Sequence, residues 1–187
     1  MKGWYGNRYS HSLASRGIRS KVNEEVKYKK YKFYHGTSLY DYEKILNEGY
    51  IKYPFITSEY LDADMWSKKS TNMRDFIEKN NNNLPIILEM EIPRDFLENK
   101  CVIDPLLLDE RYFGFYEKYD DLVATIGKEA SEWWMSELEK KGIDWVDWTI
   151  ENINSFECDN IPTEWIKNVY IMRDYNKGLE RGNWGEY

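Results

Sequence analysis

An α+β fold is predicted by three observations. Leu84–Ile92 sets Ile86, Leu88, Met90 and Ile92 on one face and Glu89 and Glu91 on the other, the period-two pattern of a strand with one buried side. Glu129–Lys141 places Ala130, Trp133, Trp134 and Leu138 at helical spacing, with Gly142 as its stop. Between Phe33 and Ser58 an aromatic strand, a short amphipathic run ending at Gly49 and a second strand follow one another. The chain of 187 residues is long enough for one domain with a real core and short for two. Its 16 Tyr and 8 Trp lift the aromatic share to 17%, so the core and any cleft are built on rings.

Residues 1–24 read as an extended head in which Ser10 caps a short helix, His11–Arg16, stopped by Gly17. Val26–Tyr34 alternates rings with lysines and reads as a strand. Ser38 caps a helix whose Leu39, Tyr42, Ile45 and Leu46 form one apolar face. Ile51–Thr57 is the next strand. A helix then starts after Ser58, buries Leu61, Met65 and Trp66, and continues through Met73, Phe76 and Ile77 until Asn80–Asn83 breaks it.

Beyond the Leu84–Ile92 strand, Cys101–Ile103 is a further strand, and residues 105–127 are an aromatic insertion with helix near Tyr119–Ile126. Trp145–Ile150, Ile153–Cys158 and Val169–Arg173 read as strands, with a helical turn at Pro162–Ile166. The expected organisation is a basic arm over 1–25, one domain over 26–174 and a flexible tail over 175–187.

Charge is unevenly spread. Residues 1–33 hold nine Lys/Arg against Glu24 and Glu25, a balance of +7, so the rest of this −7 chain carries −14. Such an arm can dock to phosphates, to a partner or to its own acidic body. Cys101 and Cys158 lie far apart without a CxxC pair, which reads as two partly buried free thiols and no metal site. No apolar run reaches membrane-span length and Met1–Gly6 lacks a signal-peptide core, so a soluble, cytoplasmic protein is expected, without membrane association.

The segment Phe33-Tyr34-His35-Gly36-Thr37-Ser38, the following helix, and Phe55-Ile56-Thr57-Ser58 resemble the nucleotide-binding half of the ADP-ribosyltransferase superfamily. The branch is the histidine-bearing one of poly(ADP-ribose) polymerases and diphtheria-type toxins, with RNA 2'-phosphotransferases more distant. The resemblance covers roughly residues 31–173 and implies a split β-sandwich, two small antiparallel sheets around a cleft with peripheral helices.

It also implies mono-ADP-ribosyl transfer from NAD, as co-substrate and without a metal, to a protein or nucleic-acid acceptor. His35, Gly36 and Thr37 would then bind NAD, Thr57 and Ser58 would support the cleft, and Phe55 and Trp66 would flank nicotinamide. A carboxylate ahead of the Ile161-Pro162 turn would offset the ribosyl cation. Glu157 is that candidate; Asn154 stands at the family's usual distance, and Glu151 is the nearest other carboxylate. The alternatives are an inactive binding module on the same fold and a structural or interaction protein, viral or encoded by a mobile element.

Overall fold

The computed structural model describes residues 29–78, 83–108 and 123–173, with side chains from 129 onward in the last of these stretches. The elements run β1 (Lys30–Ser38), α1 (Leu39–Glu48), β2 (Tyr50–Ile51), β3 (Phe55–Thr57), α2 (Tyr60–Glu78) and β4 (Pro85–Pro93). There follow α3 (Arg94–Lys100), β5 (Cys101–Ile103), α4 (Pro105–Leu108), α5 (Val123–Lys140) and α6 (Trp145–Asn152). The chain then forms β6 (Ser155–Cys158), β7 (Ile161–Pro162), a 3₁₀ turn (Thr163–Trp165) and β8 (Ile166–Ile171). Helix and sheet are mixed, as an α+β class requires.

Six strands form one antiparallel sheet in the order β5-β6-β3-β1-β4-β8, and β2 with β7 forms a two-stranded ribbon. One face of the large sheet carries Phe33, Ile56, Leu88, Met90 and Phe156, which join Ile51 of β2, Ile161 of β7, Met135 of α5 and Trp145 of α6 in the core. Alternation along the strands sends Tyr34, Gly36, Phe55, Thr57, Ile87, Glu89 and Glu157 to the opposite face, where α2 lies.

Local chemistry explains most boundaries. Ser38 Oγ accepts from Asp41 N and Gly49 (φ 80°) closes α1 with its N–H on Ile45 O, as the sequence predicts. β1 runs further than predicted, through the His35-Gly36 segment to Ser38, because β4 pairs with it along its whole length; predicted residues 26–28 lie outside the described residues. The predicted single strand Ile51–Thr57 is two short strands in different sheets, broken at Tyr53 (φ 44°) and Pro54.

Trp145–Ile150 is helix rather than strand. Asp144 Oδ1 accepts from Val146 N and Asp147 N, a cap that commits the next turn. Helix α5 starts at Val123, ahead of the predicted Glu129; its buried residues include Ser131, Met135 and Leu138, while Trp133 is exposed. The N-terminal arm with its short helix, most of the 105–127 insertion and the tail lie outside the described residues.

Two features correct the sequence reading more deeply. Cys101 and Cys158 are not free: they face each other across β5 and β6 and form a disulfide. Helix α2 spans the predicted residues with its faces reversed, burying Ala63, Ser67, Thr71 and Asp75 and exposing Leu61, Met65, Trp66, Met73, Phe76 and Ile77. Gly36 gives the reason. A Cβ there would lie 2.0 Å from Ala63 O and 2.6 Å from Ser67 N, so helix and strand touch backbone to backbone and only small side chains fit between them.

Arg94, 1% exposed, ties the lower edge of the core together. Its Nη1 donates to Tyr31 Oη (2.8 Å) and Asp147 Oδ1 (3.1 Å), its Nε to Glu98 Oε1 (2.7 Å), and its Nη2 to Asp144. One guanidinium thus links β1, α3 and α6, and its partners hold it further toward the charged state than an ordinary arginine, against the opposing effect of burial.

Candidate functional site

Strand β1 is the axis of the site. It pairs with β4 from Lys30 to Ser38, yet it pairs with β3 only at Tyr34↔Thr57. Past that point β1 and β3 diverge, and His35 spans the gap, its Nδ1 donating to Phe55 O at 2.8 Å. A carbonyl can only accept, so the bond places the proton on Nδ1 and leaves Nε2 of the neutral ring as an acceptor. Burial lowers the pKa of His35 below its ordinary 6.5, against the raising effects of the Phe55 carbonyl and Asp41. The imidazole is held neutral and oriented, suited to receive a hydrogen bond from a hydroxyl such as that of a ribose.

The residues around His35 divide by face. Thr37, buried, lies on the His35 side of β1, the side on which the β2–β7 ribbon joins the core. Phe55, Thr57 and Glu157 lie on the α2 side, with Phe55 and Glu157 directly opposite on β3 and β6. The register therefore brings Phe55 and Glu157 together and separates both side chains from the His35 ring by the thickness of the sheet. Thr57 Oγ1 accepts from Glu59 N (3.1 Å) at the entry to α2, and Ser58 N donates to Asn154 O (2.9 Å). Both support the turn that carries β3 into α2. Asn154 has φ 67° and stands immediately before β6, while Glu151 is exposed on the last turn of α6.

Gly36 and Trp66 take roles that the sequence does not suggest. The side-chain direction of Gly36 is filled by α2 backbone. Trp66 sits on the outward part of α2, 44% exposed, with Lys69 Nζ 4.4 Å from the centre of its ring.

Three carboxylates missed by sequence reasoning are organised near the site. Glu89, expected on an exposed face, is buried: Oε1 accepts from Asn168 (2.9 Å), Oε2 from Tyr170 Oη (2.9 Å), and Lys32 Nζ lies 3.4 Å away. Burial pushes its pKa up, and the bonds from Asn168, Tyr170 and Lys32 more than offset that, leaving it lowered. Tyr34, Tyr60 and Tyr170 stack edge to face beside it. No period-two pattern could reveal this burial, because the covering groups come from β8 and α2.

Asp104 is the second. Its Oδ2 accepts from Ser155 Oγ (2.7 Å) and its Oδ1 from Leu106 N (3.0 Å), and burial raises its pKa. The third, Asp41, is clamped by Arg74 (Nη2 to Oδ1 2.8 Å, Nε to Oδ2 2.9 Å) and by Ser38 Oγ (2.9 Å). Arg74 also helps line a cavity of about 160 Å³ with Tyr40, Glu43, Asp75, Glu78 and Asn83. None of the sequence-predicted site residues lines it.

No family model, curated protein or solved structure matches this chain. Among the described residues, no helix is long and apolar enough to cross a membrane.

Proposed function

We propose that the chain is a split β-sandwich of the ADP-ribosyltransferase type that binds NAD where β1 parts from β3, as a binding module without glycosyl transfer. The observation that carries this reading is the single Tyr34↔Thr57 pair, with His35 held across the gap beyond it as an Nδ1–H tautomer. The free Nε2 offers an acceptor to a ribose hydroxyl, and the adjoining strand ends offer backbone groups to an amide. Neither Glu157 nor the Asn154 position supplies a carboxylate beside His35. Glu157 lies on the other face of the sheet, and Asn154, neutral, stands where the resemblance would put the acid. Losing that charge removes stabilisation of a cationic transition state and leaves ground-state binding largely intact.

A second reading, mono-ADP-ribosyl transfer to a macromolecular acceptor, is favoured by the Phe55–Glu157 pair. A 42%-exposed ring and a carboxylate side by side could stack nicotinamide and offset a ribosyl cation if the dinucleotide crossed to that face.

NAD titration by calorimetry, with nicotinamide release followed in the same samples, separates the readings. Saturable binding without release is expected, weakened about 5- to 150-fold by His35→Ala, the loss of one good hydrogen bond. Release abolished by Glu157→Gln would establish transfer in its place. Absence of binding, or binding indifferent to His35→Ala, would end the dinucleotide reading.

A further inference from the structure

Helix α2 is inside out. Its large apolar side chains face water, Leu61 76% exposed and Phe76 85%, while Ala63, Ser67, Thr71 and Asp75 face the sheet. At 100° per residue, Leu61, Met65, Trp66, Met73, Phe76 and Ile77 cover the outward half of the helix in a band about 24 Å long. Their exposed surface is on the order of 800 Å², above the 300–600 Å² of the largest apolar patch on an ordinary monomer and equal to one partner's share of a standard interface.

We propose that α2 is the centre of a homodimer interface, two copies of this chain packing α2 against α2 in antiparallel fashion about a two-fold axis near Lys69. The patch is self-complementary. Leu61, Met65 and Trp66 occupy the first half of the helix and Met73, Phe76 and Ile77 the second, so a two-fold axis sets each trio on the other copy's opposite trio. Direction follows from the helix dipoles, which oppose each other in an antiparallel pair. The charges of α2 are balanced within the chain, Lys68 on Asp64 (3.0 Å) and Arg74 on Asp41 (2.8 Å). Lys69, near the axis, holds its Nζ 4.4 Å from the centre of the Trp66 ring.

Sedimentation equilibrium of the full chain, from about 1 to 100 μM, should give twice the chain mass. Leu61→Glu with Phe76→Glu should give a monomer of unchanged circular dichroism, because neither side chain supports the fold. Mixed Leu61→Cys and Ile77→Cys chains should cross-link to each other under mild oxidation. A wild-type monomer throughout that range, or a dimer that survives the double glutamate variant, would overturn the proposal. So would preferential linking of Leu61→Cys to itself, which would mean a parallel pair.

Discussion

Gly36→Ala is expected to destabilise the protein as a whole, and the geometry sets the size of the effect. The added methyl would sit 2.0 Å from Ala63 O and 2.6 Å from Ser67 N, whereas ordinary contacts begin near 3.4 Å, so α2 must withdraw by about 1.4 Å or β1 must bend. The colliding atoms are backbone, so no rotamer change in Ala63 or Ser67 relieves them. Overpacking of this kind costs about 3 kcal/mol or more, which for a chain of this size lowers Tm by roughly 6–12 °C. The control is Gly49→Ala, where φ is 80° but nothing lies within 4 Å, so about 1 kcal/mol of backbone strain is the whole cost. Thermal and urea unfolding of both variants measure the difference. A Gly36→Ala protein as stable as the Gly49→Ala protein would refute the backbone-contact argument. If it also lost NAD affinity, Gly36 would belong to the ligand after all.

Reduction of Cys101–Cys158 releases a loop with a sequence separation of 57 and should cost about 4 kcal/mol by loop entropy, read as a melting shift on the order of 10 °C with and without a phosphine reductant. Arg94→Lys should lose on the order of 2–3 kcal/mol in urea unfolding, because a point charge cannot serve Glu98, Asp144, Asp147 and Tyr31 together; the carboxylates' partial exposure keeps the loss from being larger. Because the folded-state pKa of His35 is lowered, its contribution is complete above about pH 6.5 and is lost as the pH falls through the folded value; His35→Gln should flatten that part of a stability–pH curve. Glu89, also lowered, contributes above its ordinary value of 4.5 and loses that contribution as the pH falls further, so Glu89→Gln should flatten the acid limb below pH 4.5.

Where local chemistry decides, the sequence was readable. The Ser38 cap, the Gly49 stop, the Cys101–Ile103 strand and the turn after Pro162 all rest on residues within a few positions of the feature. Misreadings arose where a distant partner decides, or where a cap outweighs an alternating pattern. Trp145-Val146-Asp147-Trp148-Thr149-Ile150 alternates like a strand, and the Asp144 cap outweighs that pattern. The apolar stripe of α2 reads as its buried side, and only the glycine on a neighbouring strand explains why the small residues turn inward. Glu89 and the two cysteines depend on strand pairings that no local window contains. At the candidate site, the face of Glu157 followed only from the β3–β6 register, and the bond from His35 to Phe55 O only from the pairing of β1 with β3.

The lone Tyr34↔Thr57 pair also bears on how the chain folds. β1 and β4 are joined by a continuous ladder, but β3 meets β6 across about a hundred residues of sequence, Phe55 to Glu157. Closing so long a loop is slow, and β1 offers β3 one residue pair as a template on which to wait. The β4-β1 half should therefore assemble early and the β3-β6-β5 half late, with His35 and its carbonyl partner meeting only as the second half docks. The seam where a ligand would enter is then also the last seam to close.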